Sequence, residues 1–303
     1  MPCRSIRRVP PTPSAPLVRL ATALAGAATL ALAASTARAQ RPSPDTSRAS
    51  AAATARDPHA VNPERPTVAT NAGTVAPGWV EIEAGAQGGR PTRGVTQLQA
   101  PVVLKFGIAS HAQLGVFTGA AYVRDASGTT SPRFTGGATD LAVGVKWRVL
   151  DGAPLVGDLA LLPTIKLPTG SVNDGTGTGT TDAGLLLISS HALGPVSLDV
   201  NAGYTRRSGD GSIAPRSATF ATISTGFPVR GRLGWVAELY GYPGTSGVAG
   251  QPPVVAFLTG PTLLVVPWLA VDAGATATLR GPAPNTVYAG AVWNVGRLPG
   301  RPR

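Results

Sequence analysis

The 303-residue chain is 43% hydrophobic but only 14% charged, and its mean hydropathy is +0.13. A soluble surface carries roughly 25–35% charged residues, so this composition disfavours an ordinary soluble globular protein. The net charge of +11 is scattered, without a run of five basic residues, which argues against nucleic acid as a partner. Cys3 is the only cysteine, which excludes a disulfide framework and leaves no thiolate chemistry in the exported part of the chain.

Residues 1–39 have the layout of a cleavable secretory signal peptide. Arg4, Arg7 and Arg8 precede an apolar stretch at residues 20–34, and Ala37-Arg38-Ala39 forms a small-x-small cleavage site. The apolar stretch is shorter than the ~20 residues of a membrane helix, which favours cleavage over an uncleaved anchor. Cleavage removes five arginines and no acid, so the formal charge falls from +11 to +6.

The rest of the chain divides into a tail and a region of regular alternation. Residues 40–74 are rich in Pro, Arg, Ser, Thr and Ala without periodicity, which predicts a disordered linker or a plug-like tail. Residues 75–297 consist of segments of about ten residues. Within each segment, apolar residues alternate with polar or small ones, as in strands that cross a bilayer. Residues 298–303 are predicted to form a C-terminal extension. The predicted strands are residues 79–87, 95–106, 111–123, 139–149, 157–167, 182–191, 196–206, 217–227, 233–242, 253–263, 269–280 and 286–296.

Within several predicted strands, the charged residues share one parity. In residues 139–149, for example, Lys146 and Arg148 alternate with Val145, Trp147 and Val149. Because successive side chains of a strand point to opposite faces, one face is polar and the other apolar. We therefore predict a lumen lined by charged residues that either pair with one another or border an aqueous path. The candidate lumen-lining residues are Asp140, Lys146, Arg148, Asp158, Lys166, Asp199, Glu238, Asp272 and Arg280.

The connectors and one uncharged stretch decide the fold class. Short turns alternate with longer loops rich in Gly, Ser and Thr, which is typical of outer-membrane barrels. Residues 253–271 are long enough for a membrane helix, but Pro and Gly interrupt them, and an interior Pro costs a helix about 3 kcal/mol. We predict a hairpin there, with its turn near Pro267. The predicted fold is all-β: an antiparallel transmembrane β-barrel of about 12 strands in the cell outer membrane.

Catalytic, metal and cofactor sites are not predicted. His59, His111 and His191 are scattered, and a nucleophile with a base and an orienting group is not recognisable among them. The Gly-rich stretch 173–179 lacks the lysine of a phosphate-binding loop and the carboxylates of a calcium loop, so it is predicted to be an external loop.

Three motifs resemble a known family. The sequence from Arg65-Pro66 through residues 74–83 resembles the opening of the transporter-like barrels named for the meta-pathway of phenol degradation. Residues 137–141 with 146–148 are similar to that family's Gly-x-x-Asp-Leu strand, and residues 161–163 with 167–170 to its next strand. The resemblance covers residues 65–296 and implies an outer-membrane barrel with a transport function; it implies no catalytic residues.

The chain departs from typical outer-membrane barrels in its aromatic residues. These make up 5% of the chain, and the last residues, 297–303, include none. Interfacial girdles are therefore predicted to be thin. The aromatic residues predicted to supply them are Trp79, Tyr122, Trp147, Tyr204, Trp235, Trp268 and Trp293.

These features predict a channel or transporter barrel for small molecules, with hydrophobic or aromatic molecules as a candidate class. Membrane lipid and a small-molecule substrate are the predicted partners, and the sequence leaves the oligomeric state open. Two alternatives remain. One is a structural or partner-binding outer-membrane barrel whose lumen is plugged by side chains, and the other is a secreted soluble β-barrel carrier.

Overall fold

The computed structural model describes residues 57–128, 131–212, 215–243 and 253–298. The predicted signal peptide, residues 40–56 of the predicted tail and residues 299–303 of the predicted extension lie outside these ranges. The strands, in chain order, are β1 (Trp79–Gly89), β2 (Val95–Ala109), β3 (Ala112–Asp125), β4 (Arg133–Ala138), β5 (Leu141–Ala153), β6 (Gly157–Leu167), β7 (Asp182–Leu193), β8 (Val196–Arg207), β9 (Ser217–Arg230), β10 (Leu233–Tyr242), β11 (Val254–Val266), β12 (Leu269–Arg280) and β13 (Thr286–Arg297).

The strands form one antiparallel sheet that closes on itself. Neighbours in sequence pair with each other from β5 to β13, and β13 pairs with β1 through a register that runs from Trp79↔Arg297 to Gly89↔Thr286. The pairings β1–β2, β2–β3 and β3–β5 complete the circle. The predicted all-β barrel of about 12 strands is confirmed.

The thirteenth strand segment, β4, was predicted as part of a loop. It pairs with the outer part of β3, from Asp125↔Arg133 to Ala120↔Ala138, while β5 pairs with the inner part of the same strand. The two segments therefore form one interrupted wall strand, with a break at Thr139 and Asp140. The Gly- and Thr-containing sequence of residues 133–138 has the composition of a loop, but the long β3 offers it a hydrogen-bonding edge.

Polar residues face the lumen of the barrel and apolar residues face outward. On β5, Val143, Val145 and Trp147 are exposed on the outer face, whereas Lys146 between them is buried. This distribution is the reverse of a soluble protein, in which lysine is almost never fully buried. An exterior of exposed aliphatic side chains is the kind of surface that lipid covers in outer-membrane barrels.

The connectors place short turns at one rim and longer loops at the other. The short-turn rim carries two-residue connections such as Gly194-Pro195 and Gly231-Arg232, whose glycines have φ of +66° and +56°. The long-loop rim carries the connections at residues 168–181 and 208–216. The stretch predicted as a hairpin forms β11, a turn at Pro267 and Trp268, and the start of β12. Among the described residues there is no apolar helix of the length needed to cross a bilayer.

The aromatic residues on the outer face lie towards the two rims. The group near the short turns is exposed to between 37% and 57%, and consists of Trp147, Trp235, Trp268 and Trp293. Tyr122 and Tyr204 are exposed on the part of the wall nearer the long loops. Trp79 is partly covered, because His59 lies against it with a ring-centroid distance of 5.0 Å.

Candidate functional site

Residues 57–78, here called the luminal segment, lie inside the barrel. Residues 57–74 of this segment belong to the stretch predicted as a disordered linker or a plug-like tail, and this described part has an ordered path along the wall. The wall residues that bind its backbone lie between the second and the sixth position of their strands, counted from the short-turn rim, so the segment extends from that rim to about the middle of the lumen. This leaves the half next to the long loops to side chains of the wall.

The segment passes the short-turn rim beside two tryptophans. The His59 ring is stacked on Trp268 at a centroid distance of 5.9 Å and also lies against Trp79. His59 Nε2 is 3.1 Å from the carbonyl oxygen of Asn294, and the Val61 N–H donates to the Pro267 carbonyl at 2.9 Å. These contacts fix the chain where it crosses the rim.

Deeper in the lumen, two lysines of the wall bind glutamates of the wall and of the segment. Lys105 Nζ lies 2.5 Å from a carboxylate oxygen of Glu81 and 2.5 Å from one of Glu83. Lys146 pairs with Glu64 of the luminal segment, and Glu64 lies 3.6 Å from Lys105. Both lysine side chains are 1% exposed. Buried charges need such partners, because removal of one partner leaves an uncompensated charge.

The lysines also bind the backbone of the segment. Lys105 donates to the Asn62 carbonyl at 2.7 Å, and Lys146 donates to the Asn71 carbonyl at 2.8 Å. The pair therefore holds the segment at two points nine residues apart in sequence.

The wall accepts hydrogen bonds from the backbone of the segment as well. Glu238 is the clearest example, because its two carboxylate oxygens accept the N–H groups of Val68 at 2.8 Å and Ala69 at 2.6 Å. Charge-assisted bonds of this kind are roughly twice as strong as neutral ones. The other N–H donations are Asn62 to Glu81 at 2.7 Å, Glu64 to Glu83 at 2.8 Å, Thr70 to Asn201 at 2.8 Å, Ala72 to Ser190 at 2.8 Å and Val75 to Gln113 at 2.9 Å.

Arg65 extends from the segment to a part of the wall without side chains. Gly85 of β1 and Gly290 of β13 lie opposite each other, and a Cβ at either position would lie 2.4 Å or 2.5 Å from the guanidinium. Arg65 Nη2 is 3.3 Å from Asp272 Oδ1, and Arg65 Nε is 3.4 Å from Asp272 Oδ2. The two glycines and Asp272 thus form a slot that holds a planar cation at two points.

The half of the lumen next to the long loops contains an aromatic group. Phe220 and Tyr242 have ring centroids 5.9 Å apart, and Tyr240 meets Tyr242 edge-on at 6.0 Å. Phe220 lies on the lumen-facing parity of β9, and both tyrosines lie on that of β10 together with the buried Glu238. We call these three rings the outer aromatic group.

The loop between β6 and β7 is tied to the break between β4 and β5. Asp140, at the break, accepts the N–H groups of Gly170 at 2.9 Å and Thr178 at 3.1 Å, and it binds Lys166 Nζ at 2.6 Å. Lys166 also donates to the Thr180 carbonyl at 2.8 Å. The loop predicted at residues 173–179 is therefore held against the barrel wall.

A cavity of about 750 Å³ lies beside the luminal segment. The segment borders it with residues such as Asn62 and Arg65, and the opposite side includes Asp199, Ser224 and Asp272. The lumen in this half is therefore not completely filled, and both polar and apolar residues border its remaining space.

The nine predicted lumen-lining residues take three kinds of position. Lys146, Glu238 and Asp272 bind the luminal segment directly. Asp199 accepts a hydrogen bond at 2.5 Å from Ser190, which binds the segment. The other five lie towards the rims. At the long-loop rim, Asp140 and Lys166 bind the β6–β7 loop, and Arg280 is exposed at the end of β12. At the short-turn rim, Arg148 pairs with Asp151 at 2.7 Å, and Asp158 accepts the Gly152 N–H at 2.7 Å.

Sequence reasoning did not identify the segment's own charged residues as part of the site. Glu64 and Arg65 lie in a stretch without periodicity, so parity could not be applied to them. Glu81, Glu83 and Lys105 share the polar parity of their strands, and this signal could have placed them in the lumen.

Comparisons with known proteins support the fold. No protein-family model and no curated protein matches the chain. Among solved structures, the COG4313 outer membrane channel from Pseudomonas putida F1 is similar with a TM-score of 0.56 and 12% identity, over 73% of this chain and 97% of that one. At this identity the similarity shows the fold alone, which is that of an outer-membrane β-barrel. It agrees with the kind of family that the sequence resembles, while the family itself stays a prediction.

Two further solved structures have lower scores. The CymD monoaromatic hydrocarbon channel has a TM-score of 0.41 and 7% identity, over 72% of this chain and 89% of that one. The toluene transporter TodX from Pseudomonas putida has a TM-score of 0.39 and 10% identity, with the same coverage of both chains. Scores this low carry no conclusion about this chain.

Proposed function

We propose that the protein is an outer-membrane channel for small molecules and that the luminal segment closes it. The observation that carries this proposal is that polar contacts to the wall hold the segment in a polar lumen. Such contacts exchange for hydrogen bonds with water when the segment leaves, so each contributes only about 0.5–1.5 kcal/mol, or about 1.5–3 kcal/mol where a charge takes part. A closure of this kind can be reversed.

The orientation follows from the rims. Short turns face the periplasm in outer-membrane barrels, and β1 begins and β13 ends at the short-turn rim. The luminal segment therefore closes the periplasmic half of the channel. On β8, the distance along the barrel axis from Val196 at this rim to the exposed Tyr204 is about 20 Å, which is close to the ~25 Å height of a lipid-facing band.

The outer aromatic group supports one class of solute. Phe220, Tyr240 and Tyr242 offer ring faces and edges to a molecule that comes from the long-loop side. Aromatic pairs are worth about 0.5–1.5 kcal/mol beyond the area that they bury. Small aromatic or hydrophobic molecules are thus the proposed solutes, with the cavity beside the segment as the next part of their path.

A structural barrel with a permanently plugged lumen is the second candidate. The buried ion pairs of Lys105 and Lys146 favour it, because separation of a buried pair costs about 3–5 kcal/mol. The two candidates differ in one observable property, which is whether the lumen conducts once the segment is absent.

The deciding experiment compares three forms of the exported chain in liposomes: residues 40–303, the same chain without residues 57–74, and a control without residues 40–56. Heat-modifiable gel migration verifies that each form is folded. We expect swelling in sugars and in small aromatic solutes to increase only when residues 57–74 are missing. A folded barrel that lacks these residues and passes no solute would establish the structural barrel instead.

A further inference from the structure

The wall recognises the luminal segment mainly by its backbone. Seven backbone N–H groups between Asn62 and Val75 donate to six wall side chains. Asn201 also donates its side-chain amide to the Thr70 carbonyl at 3.0 Å, and the two lysines bind two further carbonyls. Every non-proline residue of a polypeptide has these groups. The wall can therefore bind an extended chain whose sequence differs from that of the segment.

One side chain of the segment, that of Arg65, fits a slot in the wall. The guanidinium of Arg65 lies in the slot formed by Gly85, Gly290 and Asp272. A side chain at either glycine would fill this slot, so its shape suits a flat cation. A citrulline side chain has nearly the same shape but lacks the charge, and it would therefore bind Asp272 more weakly.

The charge of the wall also favours a cationic occupant. The charged wall residues that contact the segment comprise four carboxylates and two lysines, an excess of two formal negative charges: Glu81, Glu83, Glu238 and Asp272, against Lys105 and Lys146. Within the segment between Asn62 and Val75, Glu64 and Arg65 cancel, so they leave this excess unchanged.

A further polar group lies next to the slot. Tyr288 is two residues from Gly290 on β13 and is 6% exposed, and its hydroxyl lies close to Gly260 and Gly274. Within the described part of the chain, this hydroxyl has no hydrogen-bond partner. It is therefore free to bind a carbonyl or a side chain of an occupant that lies differently from the luminal segment.

We propose that this wall is a binding site for an extended, arginine-containing oligopeptide, and that residues 57–78 are its tethered occupant. The site goes beyond the proposed channel, because its ligand is not the aromatic solute and its binding requires no conduction. A peptide supplied from outside competes with the segment for the same acceptors and the same slot. The class of ligand follows from these two features of the wall: the acceptors bind backbone N–H groups, and the slot binds one guanidinium.

The test uses the folded chain without residues 57–74 in detergent and measures the fluorescence anisotropy of labelled peptides. The reference peptide has 14 residues of Gly, Ala and Ser, with one arginine at the position that corresponds to Arg65. A second peptide has citrulline instead, and a third has N-methyl groups at the positions of Val68 and Ala69. We expect the reference peptide to bind at least tenfold more tightly than either. Equal binding of the citrulline peptide, or no saturable binding of any peptide, would overturn the proposal.

A wall variant assigns the binding to the slot. Asp272→Asn in the same shortened chain should abolish the preference for arginine over citrulline, whereas Asp174→Asn in the exposed β6–β7 loop should leave it intact. A preference that persists in Asp272→Asn would contradict the assignment. Because anisotropy does not depend on flux, a chain that binds the peptide but conducts nothing would refute the proposed channel and leave this inference standing.

A second measurement applies if the shortened chain does not fold. Glu64 is the only glutamate outside the strands, so glutamyl endopeptidase reports on exposure of the segment by cleavage after Glu64. In the full chain with Arg65→Ala, guanidinium chloride at about 10 mM should slow this cleavage at least threefold by occupying the empty slot. The same concentration of tetramethylammonium chloride should not. Equal effects of the two salts would contradict a guanidinium slot.

Discussion

Gly85 and Gly290 lie opposite each other on β1 and β13, and the guanidinium of Arg65 occupies the space where their side chains would be. Alanine at either position displaces Arg65 and separates it from Asp272. We expect Gly290→Ala to weaken attachment of the segment by about 1.5–3 kcal/mol, the value of a hydrogen bond to a charged group. Cleavage after Glu64 should become about tenfold faster or more.

Gly88→Ala is the matched control for this prediction. Gly88 lies on the same strand as Gly85, but a Cβ there would make only ordinary contacts, at 3.5 Å and beyond. A cleavage rate that rises equally in Gly88→Ala and Gly290→Ala would contradict a specific role for the slot.

Glu238 holds two consecutive N–H groups of the segment and the hydroxyl of Thr222. Glu238→Gln keeps the size of the side chain but replaces one acceptor oxygen by an amide that donates. We expect a loss of about 1–3 kcal/mol of attachment, because one backbone N–H remains buried without an acceptor. Single-channel recording should show more frequent openings. The control is Asp174→Asn, which changes a carboxylate outside the lumen and should open as often as the wild type. An equal increase in opening frequency in this control would contradict the prediction.

Lys105 compensates Glu81 and Glu83. Lys105→Met should lower the free energy of unfolding by about 3–5 kcal/mol, because it leaves two buried carboxylates without a cation. Urea titration followed by heat-modifiable migration measures this loss. The loss should be smaller when Glu83→Gln is present, since one of the orphaned charges is then absent. Strict additivity of the two substitutions would refute the ion-pair cluster.

His59 stacks with Trp268 and Trp79 where the segment crosses the rim. His59→Ala removes two ring contacts, each worth about 0.5–1.5 kcal/mol. Cleavage after Glu64 should become several-fold faster. His111→Ala is the control, because the His111 side chain is 44% exposed and binds Asp151 of the wall at the same rim. Equal acceleration in both variants would show that the rim acts non-specifically.

Most of the barrel could be predicted from the alternation of its residues. Each of the twelve predicted strands overlaps an observed strand, because a strand with lipid on one side and a polar lumen on the other has a strict period of two. β4 was missed because Arg133 to Ala138 read as a loop, and only the length of β3 gives this segment a partner.

The luminal segment could not be placed from the sequence. It is neither a strand nor a helix, and its stability comes from wall residues such as Glu238 and Asn201, which lie more than 130 positions away along the chain. The charges around Lys105 could have been assigned to the lumen by parity, but their partner Glu64 lies in a stretch with no period. Long-range pairing of this kind becomes visible only in three dimensions.

The most direct test of the closed channel is a reversible cross-link between segment and wall. Ala72 N and Ser190 Oγ are 2.8 Å apart, which limits the two Cα atoms to about 6.7 Å, within the span of a disulfide. The test chain carries Ala72→Cys and Ser190→Cys, together with Cys3→Ser and with Gly290→Ala, which loosens the segment. The controls are the two chains that carry only one of the introduced cysteines in the same background.

Conductance is recorded in one membrane before and after addition of a reductant. We expect the oxidised double-cysteine chain to stay closed and reduction to raise its conductance at least tenfold, while the single-cysteine chains conduct in both conditions. Equal conductance of the double-cysteine chain before and after reduction would contradict closure of the channel by the luminal segment.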